Sequence, residues 1–348
     1  MTAEKINLRS DVVTLPTAAM LEAIKTAPMG DDNRQEDPTT NELETLAAHM
    51  LGKEAALLVM SGTMGNLIGM LCQTQPGQEV ILEQGAHIYT SEQGGAARIG
   101  GLMVTRVPSR RGFPAPADVE AAIRPLDNVH TPHTGLICLE NTHNRAGGTV
   151  MSAEETKAIA DVAHRHNLPV HLDGARIFNA AVALKVKAAE LVKDVDTVTF
   201  CLSKGLSCPA GALLCGRRDA MARARRIRKL LGGTLRQAGV IAAPGIVALK
   251  TMVDRLEQDH RTARRLAEGL ARVSPLRVDL ESVQTNIVFA DTSGLPYDAI
   301  ELNKRLTKHN VEVLIGDLHR IRMVTHRHIT AEHVDYAIES FKKVVAGS

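Results

Sequence analysis

The chain contains no tryptophan, and its aromatic residues amount to 2%. That leaves its ultraviolet absorbance low and excludes nothing about its fold. It also lacks an excess of either charge: 41 basic against 39 acidic residues give a formal net charge of +2. No global field therefore draws it to nucleic acid or to a membrane surface. No run approaches the ~18 apolar residues of a membrane span. The opening MTAEKINLRSDVV has acidic and polar residues where a signal peptide needs an apolar stretch, and a cytoplasmic location is the expectation. The five cysteines are an odd number without a C-x-x-C pair and sit mostly in apolar surroundings, as reduced, buried thiols do. The glycine patterns G-x-x-x-x-G-K-[ST] and G-x-G-x-x-G are both missing. The second absence disfavours a dehydrogenase.

What is present is ordinary globular composition, 44% hydrophobic and 23% charged over 348 residues, long enough for two domains. No repeat, low-complexity tract or long linker interrupts it. TTNELETLAAHMLG (39–52) predicts a helix, with Leu43, Leu46, Ala47 and Met50 at helical spacing and Gly52 as the stop. Strands and helices then alternate. AALLVM (55–60) leads into SGTMGNLIGMLCQTQ, EVILEQ (79–84) precedes AHIYTSEQGG, and TGLICLEN (134–141) precedes a helix with the capping-box pair Ser152 and Glu155. LPVHLDGARIF (168–178) and TVTFCLSKG complete the series. Such alternation predicts a mostly parallel sheet covered on both faces. From about residue 250 the pattern changes: one long amphipathic helix over 248–273, then TNIVFAD, a helix near 297–309, VEVLIG, RIRMVTH and a last helix at 331–345. The expected division is an extended N-terminal segment (1–15), a large α/β domain (16–248) and a small C-terminal α+β domain (249–348).

Three stretches carry chemistry. MSGTMGN (60–66) ends a strand in small hydroxyl and glycine residues before a helix, which exposes free N–H groups and a positive dipole end to an anion. In VHLDGARIF, Asp173 ends an apolar strand where a carboxylate is costly unless paired. Its partner is either Arg176 or a protonated ring nitrogen of a cofactor. In TVTFCLSKGLSCPAG, Lys204 follows a strand end, as a solvated loop residue or as a Schiff-base lysine. The basic cluster RARRIRKLL (223–231) reads as a helix face or as the lining of an anion site. The histidines of HRH (164–166) and THRH (325–328) come without a matching acidic or cysteine partner, so no metal is expected. A hydroxyl–glycine loop, a histidine, a strand-end aspartate and a strand-end Ser-Lys are, in that order, the parts of a pyridoxal phosphate site.

The segments INLRSDVVTLPTAAM, DPTTNELE, GKEAALLVMSGTMGN, LENTHNRAGG, HLDGARIFNAAVA, FCLSKGLSCPAGALLCG, LLGGTLRQAG and IRMVTH resemble the low-specificity L-threonine aldolases over nearly the whole chain. That family belongs to the fold-type-I pyridoxal phosphate superfamily. The resemblance implies a seven-stranded, mostly parallel α/β fold with a smaller α+β domain, and retro-aldol cleavage of β-hydroxy-α-amino acids to glycine and an aldehyde. It implies pyridoxal 5'-phosphate bound through Lys204, with Ser203 beside it. Asp173 would meet the ring nitrogen, His87 would stack on the ring, and Ser61, Gly62 and Thr63 would take the phosphate. Arg236 would reach in from a neighbouring subunit, which makes the protein at least a dimer and allows a dimer of dimers. Ser10, Arg176 and Arg322 would hold the substrate carboxylate. His87, His130 or a held water would take the hydroxyl proton.

The chain departs from the family pattern at Arg34 and Gln35, at Ser91, at Thr131 and His133, and in a GGT where a triple glycine is usual. Several departures fall near the expected substrate mouth. They suggest a more polar β-substituent, such as that of a 3-hydroxyaspartate-like substrate. A β-eliminating enzyme on the same scaffold, yielding a 2-oxo acid and ammonia, is the alternative within the cofactor class. A scaffold that retained only the fold is the alternative outside it, and the intact lysine, aspartate and histidine argue against that.

Overall fold

The structure is a computed structural model that describes residues 5–347. The N-terminal segment pairs a short strand, β1 (Ile6–Asn7), with a strand near the far end of the chain. Helices α1 (Ala18–Thr26) and α2 (Pro38–Met50) follow. Asp37 caps α2 through the N–H of Thr40, and Pro38 occupies the first turn, where its missing N–H is no loss. The βα series then runs β2 (Ala55–Val59), α3 (Gly62–Leu71), β3 (Glu79–Glu83), α4 (His87–Thr90), α5 (Gly95–Arg98), β4 (Met103–Val107), α6 (Pro116–Ala122) and β5 (Thr134–Glu140). It continues through α7 (Ala153–Arg165), β6 (Val170–Asp173), α8 (Ile177–Leu184), α9 (Ala188–Leu191), β7 (Thr197–Cys201), β8 (Ala212–Gly216) and α10 (Arg218–Leu230). The capping box of Ser152 and Glu155 opens α7 as the sequence predicts.

The strands form one seven-stranded sheet in the order β2-β8-β7-β6-β5-β3-β4. Only β8 runs against its neighbours. Strands β3, β5, β6, β7 and β8 are buried along their whole length, as strands covered by helices on both faces must be. All five cysteines are buried and none is bridged. Because six strands point the same way, their carboxyl ends line one edge of the sheet, the edge where α/β proteins place ligands.

The long helix expected over 248–273 is two helices, α11 (Gly239–Thr251) and α12 (Leu256–Leu270). The apolar spacing continues through the break, but its two halves serve different cores. Leu249, Met252 and Leu256 pack against the seven-stranded sheet. Ala263, Leu266 and Leu270 pack in a second core with Ile321, Met323 and Phe341. That second core is built by a three-stranded antiparallel sheet, β9 (Ile287–Asp291), β11 (Leu314–Asp317) and β12 (Arg320–Val324), in the order β11-β12-β9. Helices α13 (Ala299–Thr307) and α14 (Ala331–Ala346) cover it, and β10 (Val311–Glu312) pairs with β1. Ile6 and Leu8 belong to the same core, so the first residues described are tied down there.

The basic cluster of α10 is not a solvated face throughout. Arg228 is 1% exposed and donates to Asp32 at 2.8 Å and to the carbonyl of Leu58 at 2.7 Å. Arg225 reaches Glu44 at 2.7 Å. These bonds fix the loop that carries Asp31 to Gln35 against the sheet. Among the described residues no helix is long and apolar enough to cross a membrane.

Candidate active site

Lys204 stands three residues past the end of β7, Asp173 is the last residue of β6, and His87 opens α4 after β3. Ser61 caps α3 directly after β2, its Oγ accepting the N–H of Met64 at 3.2 Å. The parallel sheet therefore gathers these four segments at one edge. Gly62 and Thr63 lie in the first turn of α3, whose N–H groups have no acceptor within the helix. A Cβ at Gly62 would stand 2.7 Å from Cys201 Sγ, so helix and strand approach more closely than another residue allows. The charge of Lys204 acts on that thiol against the effect of burial, and the Lys204 carbonyl accepts from Thr14 at 3.0 Å.

Asp173 is 2% exposed and pairs with no arginine. Its Oδ1 accepts the N–H of Ala175 at 3.0 Å and its Oδ2 accepts Asn66 Nδ2 at 2.8 Å. The salt bridge between Asp173 and Arg176 that the sequence left open is not formed, because Arg176 turns to Asp11. The same Asn66 nitrogen donates to Glu92 at 2.9 Å, and Glu92 holds His87 Nδ1 at 2.8 Å. The bond to Glu92 raises the proton affinity of His87 against the opposing effect of burial. Burial pushes the Glu92 carboxyl up. The ligating atoms of His87, Glu92 and Asp173 lie within 4.8 Å of one another, but an amide hydrogen already answers each carboxylate.

Opposite these acids is a cationic wall. Arg176, 7% exposed, grips Asp11 through Nε at 2.7 Å and Nη2 at 2.6 Å. Burial alone would raise the Asp11 carboxyl, but the guanidinium, with Lys204 and Arg322 nearby, holds it well below the usual carboxylate range. Arg322 is equally buried. Its Nη2 donates to Asn144 at 2.8 Å, its Nη1 reaches the carbonyl of Arg9 at 3.3 Å, and its Nε has no partner. Burial and the charge of Arg176 push it down to about 10. Arg176 alone bonds Asp11, while Arg322 lies within range of its charge. Glu140, at the end of β5, links both walls by accepting the N–H of His87 at 2.6 Å and that of Asn144 at 2.8 Å. Ser10 caps the turn that presents Asp11.

His130 and His133 sit before β5, and the carbonyl of His133 accepts from Glu79, the first residue of β3. This is the amino end of the parallel strands, a strand length of about 20 Å from Lys204's end of the sheet. In this chain the loop of His130 and His133 therefore stands at the other end of the strands from Lys204. Arg34 and Arg236 are exposed and flank Asp31, at 3.8 and 3.3 Å. Ser91 is exposed at the end of α4, its Oγ 3.2 Å from that of Thr90. The histidines of HRH do have carboxylate neighbours, Asp196 for His164 and Glu120 for His166, one apiece. Asp11, Asn66, Glu92, Glu140 and Asn144 were not assigned from the sequence. All five stand inside or beside the motifs read there, but only their hydrogen bonds to distant residues reveal them.

A family model described as beta-eliminating lyase matches residues 7–293. The low-specificity L-threonine aldolase 1 of Arabidopsis thaliana is 42% identical over 350 residues, 99% of this chain and 98% of its own length. The low specificity L-threonine aldolase of Escherichia coli is 42% identical over 330 residues, 94% of this chain and 96% of its own. The solved structure of Leishmania major threonine aldolase has the same fold, with a TM-score of 0.84 at 20% identity, covering 98% of this chain and 99% of that one.

Proposed function

Because the chain belongs to the beta-eliminating lyase family, we propose that it is a pyridoxal phosphate-dependent aldolase that cleaves threonine-like β-hydroxy-α-amino acids to glycine and an aldehyde. The curated relatives above support that activity. The observation that carries it is the pair of buried guanidinium groups, Arg176 bonded to Asp11 and Arg322 with its Nε unpartnered. Such a wall lacks an anion, and the carboxylate of an amino acid supplies one.

The residues also fit the cofactor. A strand-end lysine amine, a buried carboxylate that meets no cation of its own chain, and a helix start closed against Cys201 by a glycine are the donors an amine-reactive, ring-nitrogen-bearing phosphate requires. When bound, pyridoxal phosphate supplies an electron-accepting ring that takes up the pair left on Cα by cleavage. Lys204 Nζ holds it, Asp173 keeps a proton on its ring nitrogen, and Ser61, Gly62 and Thr63 bind its phosphate. Arg176 Nη1 and Arg322 Nε hold the substrate carboxylate, with Ser10 beside them. His87, fixed through Nδ1 by Glu92, offers Nε2 to the proton of the β-hydroxyl.

Arg236 and Arg34 complete the site from a neighbouring copy, so the working form is a homo-oligomer, and its setting is the cytoplasm. The exposed guanidinium of Arg34 favours a polar or acidic β-substituent, which makes 3-hydroxyaspartate a second substrate to examine. Absorbance of the purified protein with pyridoxal phosphate tests the cofactor assignment. A visible band that Lys204→Ala abolishes supports it, and a protein that forms no band sinks it.

A further inference from the structure

Behind Asp173 runs a buried chain of hydrogen bonds whose direction can be assigned atom by atom. The Asp173 carboxylate accepts, so the Asn66 atom at 2.8 Å from its Oδ2 is the amide nitrogen, and Asn66 Oδ1 faces the other way. That oxygen lies 3.2 Å from Nε2 of His171, which must then carry a hydrogen. His171 is fully buried, and burial drives its proton affinity down to about 4, so the ring is neutral and Nδ1 is bare. Nδ1 accepts from the hydroxyl of Thr197 at 2.8 Å. Thr197 Oγ1 in turn accepts from Gln73 Nε2 at 2.7 Å. Every donor therefore points toward Asp173.

The ring is also held in place. A Cβ at Gly69 of α3 would come within 2.3 Å of His171 Cε1, so helix and imidazole are in contact with no room for a side chain between them. At the other end, the Asn66 amide is shared. The nitrogen that donates to Asp173 also donates to Glu92, which holds His87. One side chain thereby fixes both the carboxylate meant for the ring nitrogen and the support of the imidazole meant for the ring face.

We propose that Asn66 and His171 are positioning residues that hold the Asp173 carboxylate aimed at the cofactor, and so keep its ring nitrogen protonated. The proposal rests on the cofactor reading above. A purely structural role would require only that the space be filled. A positioning role requires one acceptor toward Thr197 and one donor toward Asn66, which glutamine offers at residue 171 and leucine does not.

The test is NMR of pyridoxal phosphate labelled at its ring nitrogen, bound to wild type and to His171→Gln, His171→Leu and Asn66→Leu, together with the cofactor dissociation constant of each. Melting of the cofactor-free proteins serves as the folding control. Wild type and His171→Gln are expected to show the protonated ring nitrogen and equal affinity. His171→Leu and Asn66→Leu should move the signal toward the unprotonated position and weaken binding by about tenfold or more, the loss of one hydrogen bond to a charged group. If Asn66→Leu does not fold, the pair at His171 decides. A folded His171→Leu with the wild-type signal and affinity overturns the proposal, as does His171→Gln behaving like His171→Leu. A wild type that binds no cofactor overturns the functional reading and this inference with it.

Discussion

Arg176 and Asp11 meet through two parallel bonds, Nε to Oδ2 at 2.7 Å and Nη2 to Oδ1 at 2.6 Å, which leaves Nη1 as the guanidinium nitrogen outside the pair. The geometry fixes the plane of the guanidinium before any substrate arrives. Asp11→Asn keeps the shape but loses the charge and one acceptor. It should raise KM for threonine by about tenfold with a smaller change in kcat, and lower the melting temperature, since buried Arg176 and Arg322 then lose the charge of Asp11. An unchanged KM would detach Asp11 from substrate binding.

Arg322 is buried beside Arg176, its Nε is unpaired, and it is destabilised as a cation. Function and stability should therefore separate at this residue. In Arg322→Met the substrate-free protein should melt no lower than wild type, while kcat/KM for threonine falls by about 100-fold, the loss of a charge-assisted contact. A large fall in melting temperature with intact kinetics would show that Arg322 serves the fold instead.

Arg34 has a side chain 72% exposed and only a loose contact with Asp31 at 3.8 Å, so its charge is available to a ligand. Comparison of kcat/KM for threonine, allo-threonine, phenylserine and 3-hydroxyaspartate in wild type and Arg34→Ala reads out its role. The expected loss is selective for 3-hydroxyaspartate, and equal losses on all four substrates would contradict it.

Stability should depend on pH in a known direction. Burial holds His171 and His260 down to about 4 from an ordinary 6.5, so on unfolding each takes up a proton across that interval, and stability rises with pH there. Asp259, pushed up to about 6 by burial, acts in the opposite sense: its contribution is present at low pH and lost as pH rises toward 6. His171→Gln removes its own contribution and leaves those of the other histidines in place. Denaturant midpoints at pH ~5 and ~6.5 should then differ by less than in wild type, the slope falling by up to about 1.4 kcal/mol per pH unit. A variant with the wild-type slope would mean that His171 is charged in the native protein.

The parts of the site that follow local pattern were legible in the sequence. Lys204, Asp173 and Gly62 stand where an apolar run turns polar, and that transition marks a strand end whatever packs around it. Asn66 and His171 were not legible, because their meaning lies in partners 107 and 26 residues away, Asp173 and Thr197. Direction was hidden too. The apolar run of β8 reads the same whether it runs with or against β7, and only pairing shows that it is reversed. The break between α11 and α12 escaped notice because Met252 and Leu256 continue the helical spacing while the chain crosses from one core to the other. His130 was placed by resemblance alone, and the loop that carries it lies at the amino end of β5.

The most direct measurement is product analysis of the purified protein with L-threonine and pyridoxal phosphate. Glycine and acetaldehyde in equal amounts, with no ammonia and with turnover lost in Lys204→Ala, is the predicted result. Ammonia and 2-oxobutanoate in place of glycine and acetaldehyde would contradict it and make the chain a β-eliminating enzyme on the same scaffold.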